Sequence, residues 1–217
     1  MENILHPFQK APGINKGYYS QAGQDKFVAE FFNFKKNGYY LDIGALDGVT
    51  SSNTFYLEKE LEWKGICFEP QEIHYKLAEQ IREKVVRMGV YNKNSLENFN
   101  PNLSVIDENY IGINKIPTIT FETLIKKFNV PKIIDYISLD IEGQEYNALT
   151  KFPFDTHLSI LWTIEHAYCI KKDPTLKNNI KEIMLRNNYL IIKEDIGCPD
   201  TFGIPFEDWY IHKDYIK

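Results

Sequence analysis

Apolar positions along the chain fall into two periods. From Ser20, "SQAGQDKFVAEFF" places Phe27, Val28, Phe31 and Phe32 at helical spacing, with Ser20 as a candidate N-cap. "GYYLDIG" is then a short, nearly unbroken apolar run, as a strand buried on both faces requires. "SSNTFYLEKEL" predicts a helix capped by Ser51 or Ser52, and "KGICFEP" a second strand stopped by Pro70. "QEIHYKLAEQIREK" predicts a helix and "VVRMGVY" a third short strand. Residues 92–116 are polar, Asn-rich and aperiodic, and predict an excursion loop. Regular patterning resumes with a helix in "TFETLIKKF", a strand in "IIDYISLDIEG", a helix in "QEYNALTKF" and a strand in "LSILWTIEH". A last helix, "PTLKNNIKEIMLRNN", is entered through Pro174, and "YLIIKED" and "DWYIHKD" predict two closing strands.

Strands that alternate with helices predict an α/β fold with a mainly parallel sheet and helices on both faces. Right-handed crossovers put every strand-to-helix loop at one sheet edge, where ligands of such folds bind. The segments 42–48, 69–71, 140–143 and 165–166 are therefore expected to converge. The expected organisation is one domain over residues 1–217. It comprises an N-terminal irregular segment and lid helix at 1–37 and the excursion at 92–116.

Composition narrows the options. With 43% hydrophobic residues, 217 residues can bury a substantial core. The formal charge of −5 argues against phosphate-backbone binding, so no nucleic-acid partner is expected. Cys67, Cys169 and Cys198 are widely spaced and form no CxxC pair, which points to reduced thiols in a cytoplasmic protein. No signal-peptide pattern opens the chain, and no apolar stretch is long enough to span a bilayer.

The turn in "LDIGALDGVTSSNT" carries the first chemistry. It lacks the lysine of a phosphate-binding P-loop, and Leu46 stands where a dinucleotide turn needs its second glycine. Asp47 next to it would repel a pyrophosphate, which disfavours a dehydrogenase. A cationic cofactor fits better. Asp42 and Asp47 can face the sulfonium and ammonium of S-adenosylmethionine, and Gly44 and Gly48 allow close backbone approach. Glu69 follows Gly44 by 25 residues and ends the next strand, as a ribose-binding acid would. Each residue alone reads equally well as a plain turn or cap. The combination within one βαβ unit favours the cofactor.

"SQAGQDKFVAEFF", "YYLDIGALDGVTSSNT", "GICFEP", "IPTITFETLIKKF", "IDYISLDIEGQEYNAL" and "TIEHA" occur in order and together resemble the FkbM family of methyltransferases. The resemblance implies the Rossmann-like class I methyltransferase fold with a seven-stranded sheet. It implies S-adenosyl-L-methionine as methyl donor and an acceptor hydroxyl on a sugar, glycan or related small molecule. It adds Ala45 of "DIGA", Ser52 and Asn53 of "SSNT", and Pro70 of "FEP" to the cofactor-binding set. It also places Gln21, with Asp25, on a lid over the cofactor. The stretch between Val90 and Ile116 is short beside similar members, leaving Tyr91 and Asn92 as the candidates for adenine contacts.

Methyl transfer to a hydroxyl needs a positioned acceptor and a group to take its proton. His166, with an ordinary pKa of about 6.5, is the candidate base. Asp140, also a cofactor candidate, or Glu165 would orient it. The competing reading is a divalent metal on Asp140, Glu142 and His166. A further alternative is a non-catalytic binding or interaction module that keeps the fold.

Overall fold

The structure is a computed structural model that describes residues 17–166, 174–198 and 202–216. Cys169 and the Lys171–Lys172 pair lie outside the described residues. The helices are α1 (Gln24–Phe31), α2 (Phe55–Leu61), α3 (Glu72–Ala78), α4 (Phe121–Phe128), α5 (Glu145–Leu149) and α6 (Thr175–Arg186). The strands are β1 (Tyr39–Ile43), β2 (Lys64–Phe68), β3 (Val85–Val86), β4 (Gly89–Val90), β5 (Leu96–Asn100), β6 (Val105–Ile106), β7 (Lys115–Ile119), β8 (Ile133–Leu139), β9 (Leu158–Glu165), β10 (Tyr189–Ile196) and β11 (Glu207–His212).

Seven strands form one sheet in the order β10-β11-β9-β8-β1-β2-β3. The run from β9 to β3 is parallel, and β11 enters antiparallel between β9 and β10. Strand side chains alternate between two apolar layers. Leu41, Ile43, Ile137 and Leu139 pack with Leu124, Ile125, Ala148, Leu149, Ile180 and Met184 of α4, α5 and α6. On the other face Tyr40, Tyr136 and Leu161 pack with Val28, Ala29, Leu57 and Leu61 of α1 and α2. The fold is therefore α/β with a mainly parallel seven-stranded sheet and helices on both faces.

Three local expectations need correction. Helix α1 starts at Gln24 behind Gly23, not at Ser20. Ser20 instead donates to Asp25 Oδ1 at 2.5 Å, and Asp25 Oδ2 accepts from the Tyr19 amide at 2.6 Å. Helix α2 starts only at Phe55, although Ser52 Oγ accepts from the Phe55 amide at 3.1 Å. The predicted loop at 92–116 holds strands. β5, β6 and β7 join β4 in a second sheet of order β4-β7-β5-β6, which has its own core of Tyr91, Phe99, Ile106 and Ile116. Its two-residue strands are too short to leave a period in the sequence.

Candidate active site

The strand ends of β1, β2 and β8 open into one cavity of about 250 Å³. The turn after β1 supplies Gly44, Ala45, Leu46 and the segment 50–53; β2 supplies Glu69 and Pro70; β8 supplies Ser138, Asp140 and Glu142. Gln21 and Gln24 close it from the N-terminal side. Met88, Gly89, Val90, Phe99 and Ile106 give it an apolar wall, drawn largely from the second sheet.

Glu69 anchors the first turn. Its Oε2 accepts from the Leu46 amide at 3.0 Å and its Oε1 from the Gln71 amide at 2.8 Å. Burial pushes its pKa up to about 7, against the pull of those two amides. Leu46 holds a left-handed φ of 49°, the conformation a glycine would adopt without strain, and the Glu69 bond fixes it there.

Asn53 Nδ2 donates to Ser138 Oγ at 2.9 Å, while Asn53 Oδ1 is buried without a partner. A buried acceptor that faces a cavity suits a donor arriving with a ligand, such as an ammonium group.

Asp42 lines the cavity but does not simply face it. Its Oδ2 accepts from Thr54 Oγ1 and lies 3.6 Å from an Arg82 guanidinium nitrogen. Burial raises its pKa, and the Arg82 charge partly offsets this. Arg82 is fully buried. It donates to Glu58 at 2.9 Å, the Gly48 carbonyl at 2.9 Å, Ser52 Oγ at 3.2 Å, Tyr40 Oη at 3.0 Å and Thr54 Oγ1 at 2.6 Å. Asp42 therefore lines the cavity as expected of a residue that can face a cationic ligand, but an internal cation also holds it.

Asp47 and Gly48 do not line the cavity. Asp47 Oδ1 accepts from the Val49 and Thr50 amides at 2.9 and 2.7 Å, so the side chain shapes the turn. Gly48, at φ 84°, lies against α3, where a Cβ would meet Arg82 Cγ at 2.8 Å. Tyr91 and Asn92 are also outside the cavity. Tyr91 belongs to the core of the second sheet and borders a neighbouring cavity of about 460 Å³, which shares Ile106, Glu142 and Gln144 with the first. Chain reversal at the β4 end turns both residues away.

The catalytic candidates separate. Asp140 follows β8 and lines the cavity. Glu142 lies in the following turn at φ 60°, beyond the end of β8. Glu165 sits behind Asp140, and the two carboxyls hydrogen-bond to each other. Burial raises both pKa values. That of Glu165 is pushed well above the usual range by burial, with the Asp140 charge adding to it. His166 is buried on the far side of Glu165, with Nε2 3.6 Å from Asp208 Oδ1, and does not line the cavity. Alternation along the end of β9 explains the split: Glu165 and His166 point to opposite sides. The metal set of Asp140, Glu142 and His166 is not assembled. Asp140 groups with Glu145 and Glu165, while His166 groups with Asp195 and Asp208.

Several residues in or behind the cavity wall had no sequence signal. His74 lines the cavity from α3, its pKa lowered by burial. Gln24 reaches Glu207 Oε2 at 3.3 Å, tying α1 to β11. Arg82 lies at the end of a polar helix pattern that reads as solvated surface.

The strand order, the reversed β11 and the acid-lined cavity beyond β1, β2 and β8 define a class I methyltransferase fold. The chain belongs to the methyltransferase FkbM domain family, whose profile matches residues 42–191. An FkbM methyltransferase from Methylobacillus flagellatus is similar in structure, at 15% identity and a TM-score of 0.53, over 81% of this chain and 43% of that one. An O-methyltransferase from Bacillus cereus in complex with SAH matches at 14% identity and a TM-score of 0.54, over 92% and 84% of the two chains. A fibrillarin pre-rRNA processing protein from Methanococcus jannaschii matches at 14% identity and 0.51, over 83% and 68%. No curated protein sequence matches the chain. Among the described residues, no helix is long and apolar enough to cross a membrane.

Proposed function

We propose that the protein is an S-adenosylmethionine-dependent O-methyltransferase that acts on a hydroxyl of a sugar, glycan or related small molecule. The observation that carries the reading is the pairing, in one cavity, of Glu69 with the orphan Asn53 Oδ1. Glu69 would accept from the ribose hydroxyls while its backbone bonds hold it in place, and Asn53 Oδ1 would accept from the α-ammonium. Met88, Val90, Phe99 and Ile106 would cover the adenine, in the role first assigned to Tyr91 and Asn92. The bound cofactor supplies an electrophilic methyl group on a sulfonium. Asp140 would hold the acceptor hydroxyl at the cavity floor and receive its proton, with Glu165 behind it to share the charge. His166 has no place in this scheme, since it faces Asp208.

The acceptor class rests on the family resemblance and on the absence, among the described residues, of lysine and arginine from the cavity lining, which disfavours phosphate-rich acceptors. Calorimetry with S-adenosylmethionine, S-adenosylhomocysteine and NAD tests the cofactor assignment. Binding of NAD alone would refute it. Methyl-transfer assays across neutral, amino and phosphorylated sugars test the acceptor.

A further inference from the structure

Behind the cavity floor lies a set of carboxyls that ribose and ammonium recognition leave unused. Asp140 follows β8, Glu145 opens α5 and Glu165 ends β9. One carboxylate oxygen of each lies within 4.8 Å of the others. Glu145 is 0% exposed and Glu165 7%. Among the described residues, no lysine or arginine forms an ion pair with any of the three; the buried arginine of this region, Arg82, is committed to Asp42 and Glu58.

A second observation concerns individual atoms. Glu145 Oε1 is accounted for, since it accepts from the Ile141 amide at 2.8 Å and the Gly143 amide at 3.1 Å. Glu145 Oε2 is buried with no partner, and so is Glu165 Oε2. A proton shared between Asp140 and Glu165 satisfies one oxygen on each and leaves both orphans as they are. Buried carboxylate oxygens without a donor are costly, and a cation removes that cost at both atoms together.

We propose that Asp140, Glu145 and Glu165 form a divalent-cation site, with Asp140 the ligand exposed to the cavity. The donor set is all oxygen, because the nearby imidazole of His166 is directed to Asp208. Such a set selects a hard ion of the Mg²⁺ or Mn²⁺ class over zinc. With a bond length of about 2.1 Å, neighbouring oxygens on such an ion stand about 3 Å apart and opposite ones about 4.2 Å, so the three carboxylates, within 4.8 Å of one another, must draw inward to close on it. Three carboxylates leave coordination positions open on the cavity side for water or an acceptor hydroxyl, whose proton the ion would make easier to remove. Glu145 Oε1 stays on its two amides, so the 141–143 turn would orient the metal-facing oxygen as an outer-shell hydrogen bond does in other sites.

The test is titration of the chelator-treated full chain with Mn²⁺, followed by the electron paramagnetic resonance signal of the free ion. The expected result is a single bound Mn²⁺ per chain with a dissociation constant below about 1 mM, displaced by Mg²⁺. Glu145→Gln and Glu165→Gln should each weaken binding at least about tenfold. Failure of the wild-type chain to bind at about 1 mM overturns the site. So does binding that survives unchanged in both variants, which would leave the carboxyls sharing protons only. Circular dichroism on the same samples reports folding independently: a variant without the wild-type spectrum is set aside, and if both are, the wild-type titration decides. The wild-type Mn²⁺ titration does not depend on the methyl-donor reading, so the two proposals fail separately.

Discussion

Gly44 passes so close to Asp140 that a Cβ on Gly44 would lie 1.7 Å from the Asp140 carbonyl oxygen. The two segments are held together there, because the Asp140 amide donates to the Ile43 carbonyl at 2.9 Å. Gly44 also holds φ 94°, where an L side chain is strained. Gly44→Ala should therefore cost more than the usual range of about 0.5–3 kcal/mol for a single substitution. Denaturant unfolding measures this. A variant of wild-type stability would mean that β1 and β8 separate at their ends more easily than the bonding allows.

Arg82 should be as sensitive, for electrostatic reasons. Its removal leaves Asp42 and Glu58 buried without their cation, a loss of about 3–5 kcal/mol for a broken buried pair. Arg82→Met is expected to unfold in that range. Arg82→Lys should keep part of the stability, since one ammonium cannot serve five acceptors in a fork. Stability of Arg82→Lys equal to that of the wild type would show that charge, and not hydrogen-bond geometry, is all that Arg82 provides.

The cofactor assignment predicts that Glu69→Ala weakens S-adenosylhomocysteine binding at least about tenfold, about 1.4 kcal/mol. Part of that loss would come through Leu46, whose left-handed turn depends on the Glu69 bond. Glu69→Gln separates the contributions: its amide oxygen can still accept from one backbone amide but offers less to two ribose hydroxyls. Calorimetric affinities unchanged in both variants would remove Glu69 from the site.

Asp140 and His166 make opposite predictions. If Asp140 receives the acceptor proton, Asp140→Asn should lower turnover by about 10²–10⁴-fold with cofactor affinity nearly kept. His166→Gln should disturb the Asp208 contact and stability, leaving turnover per folded molecule close to wild type. A reversal of this pattern in single-turnover assays would restore histidine as the base.

How much of this was legible in the sequence follows from the range of each interaction. The parallel sheet was readable because β1, β2, β8 and β9 are buried on both faces and show as unbroken apolar runs. Gly44, Glu69 and Asp140 were readable as cavity residues because strand ends fix their place by topology alone. The second sheet was not: Gly89–Val90 pairs with the distant Thr118–Ile119, and Val105–Ile106, although it pairs with nearby Phe99–Asn100, is too short to record a period. Arg82 was hidden for the same reason. A buried arginine and a surface arginine look alike until the partners arrive from β1 and α2. His166 was misplaced because one step along a strand end reverses the side it faces.

Stability should also depend on pH through Glu207. This residue pairs in register with Glu165 across β11 and β9 and is 1% exposed. Burial pushes its pKa up to about 8, against hydrogen bonds from the Trp209 indole and the Gln24 amide. Its ordinary value is 4.5. Between those limits the folded chain holds a proton that the unfolded chain has released, so stability falls as pH rises. The contribution is complete below about pH 4.5 and is lost as pH passes about 8. Glu69, raised to about 7, acts in the same direction over a narrower window. The thermal midpoint of chelator-treated protein should therefore fall between pH 5 and pH 9, a span set to bracket these values. Glu207→Gln should flatten the upper part of that fall, because an amide keeps an acceptor for Trp209 without a proton to lose. A midpoint that rises with pH over this window, or a slope that Glu207→Gln leaves untouched, would mean that Glu207 is ionised in the folded protein.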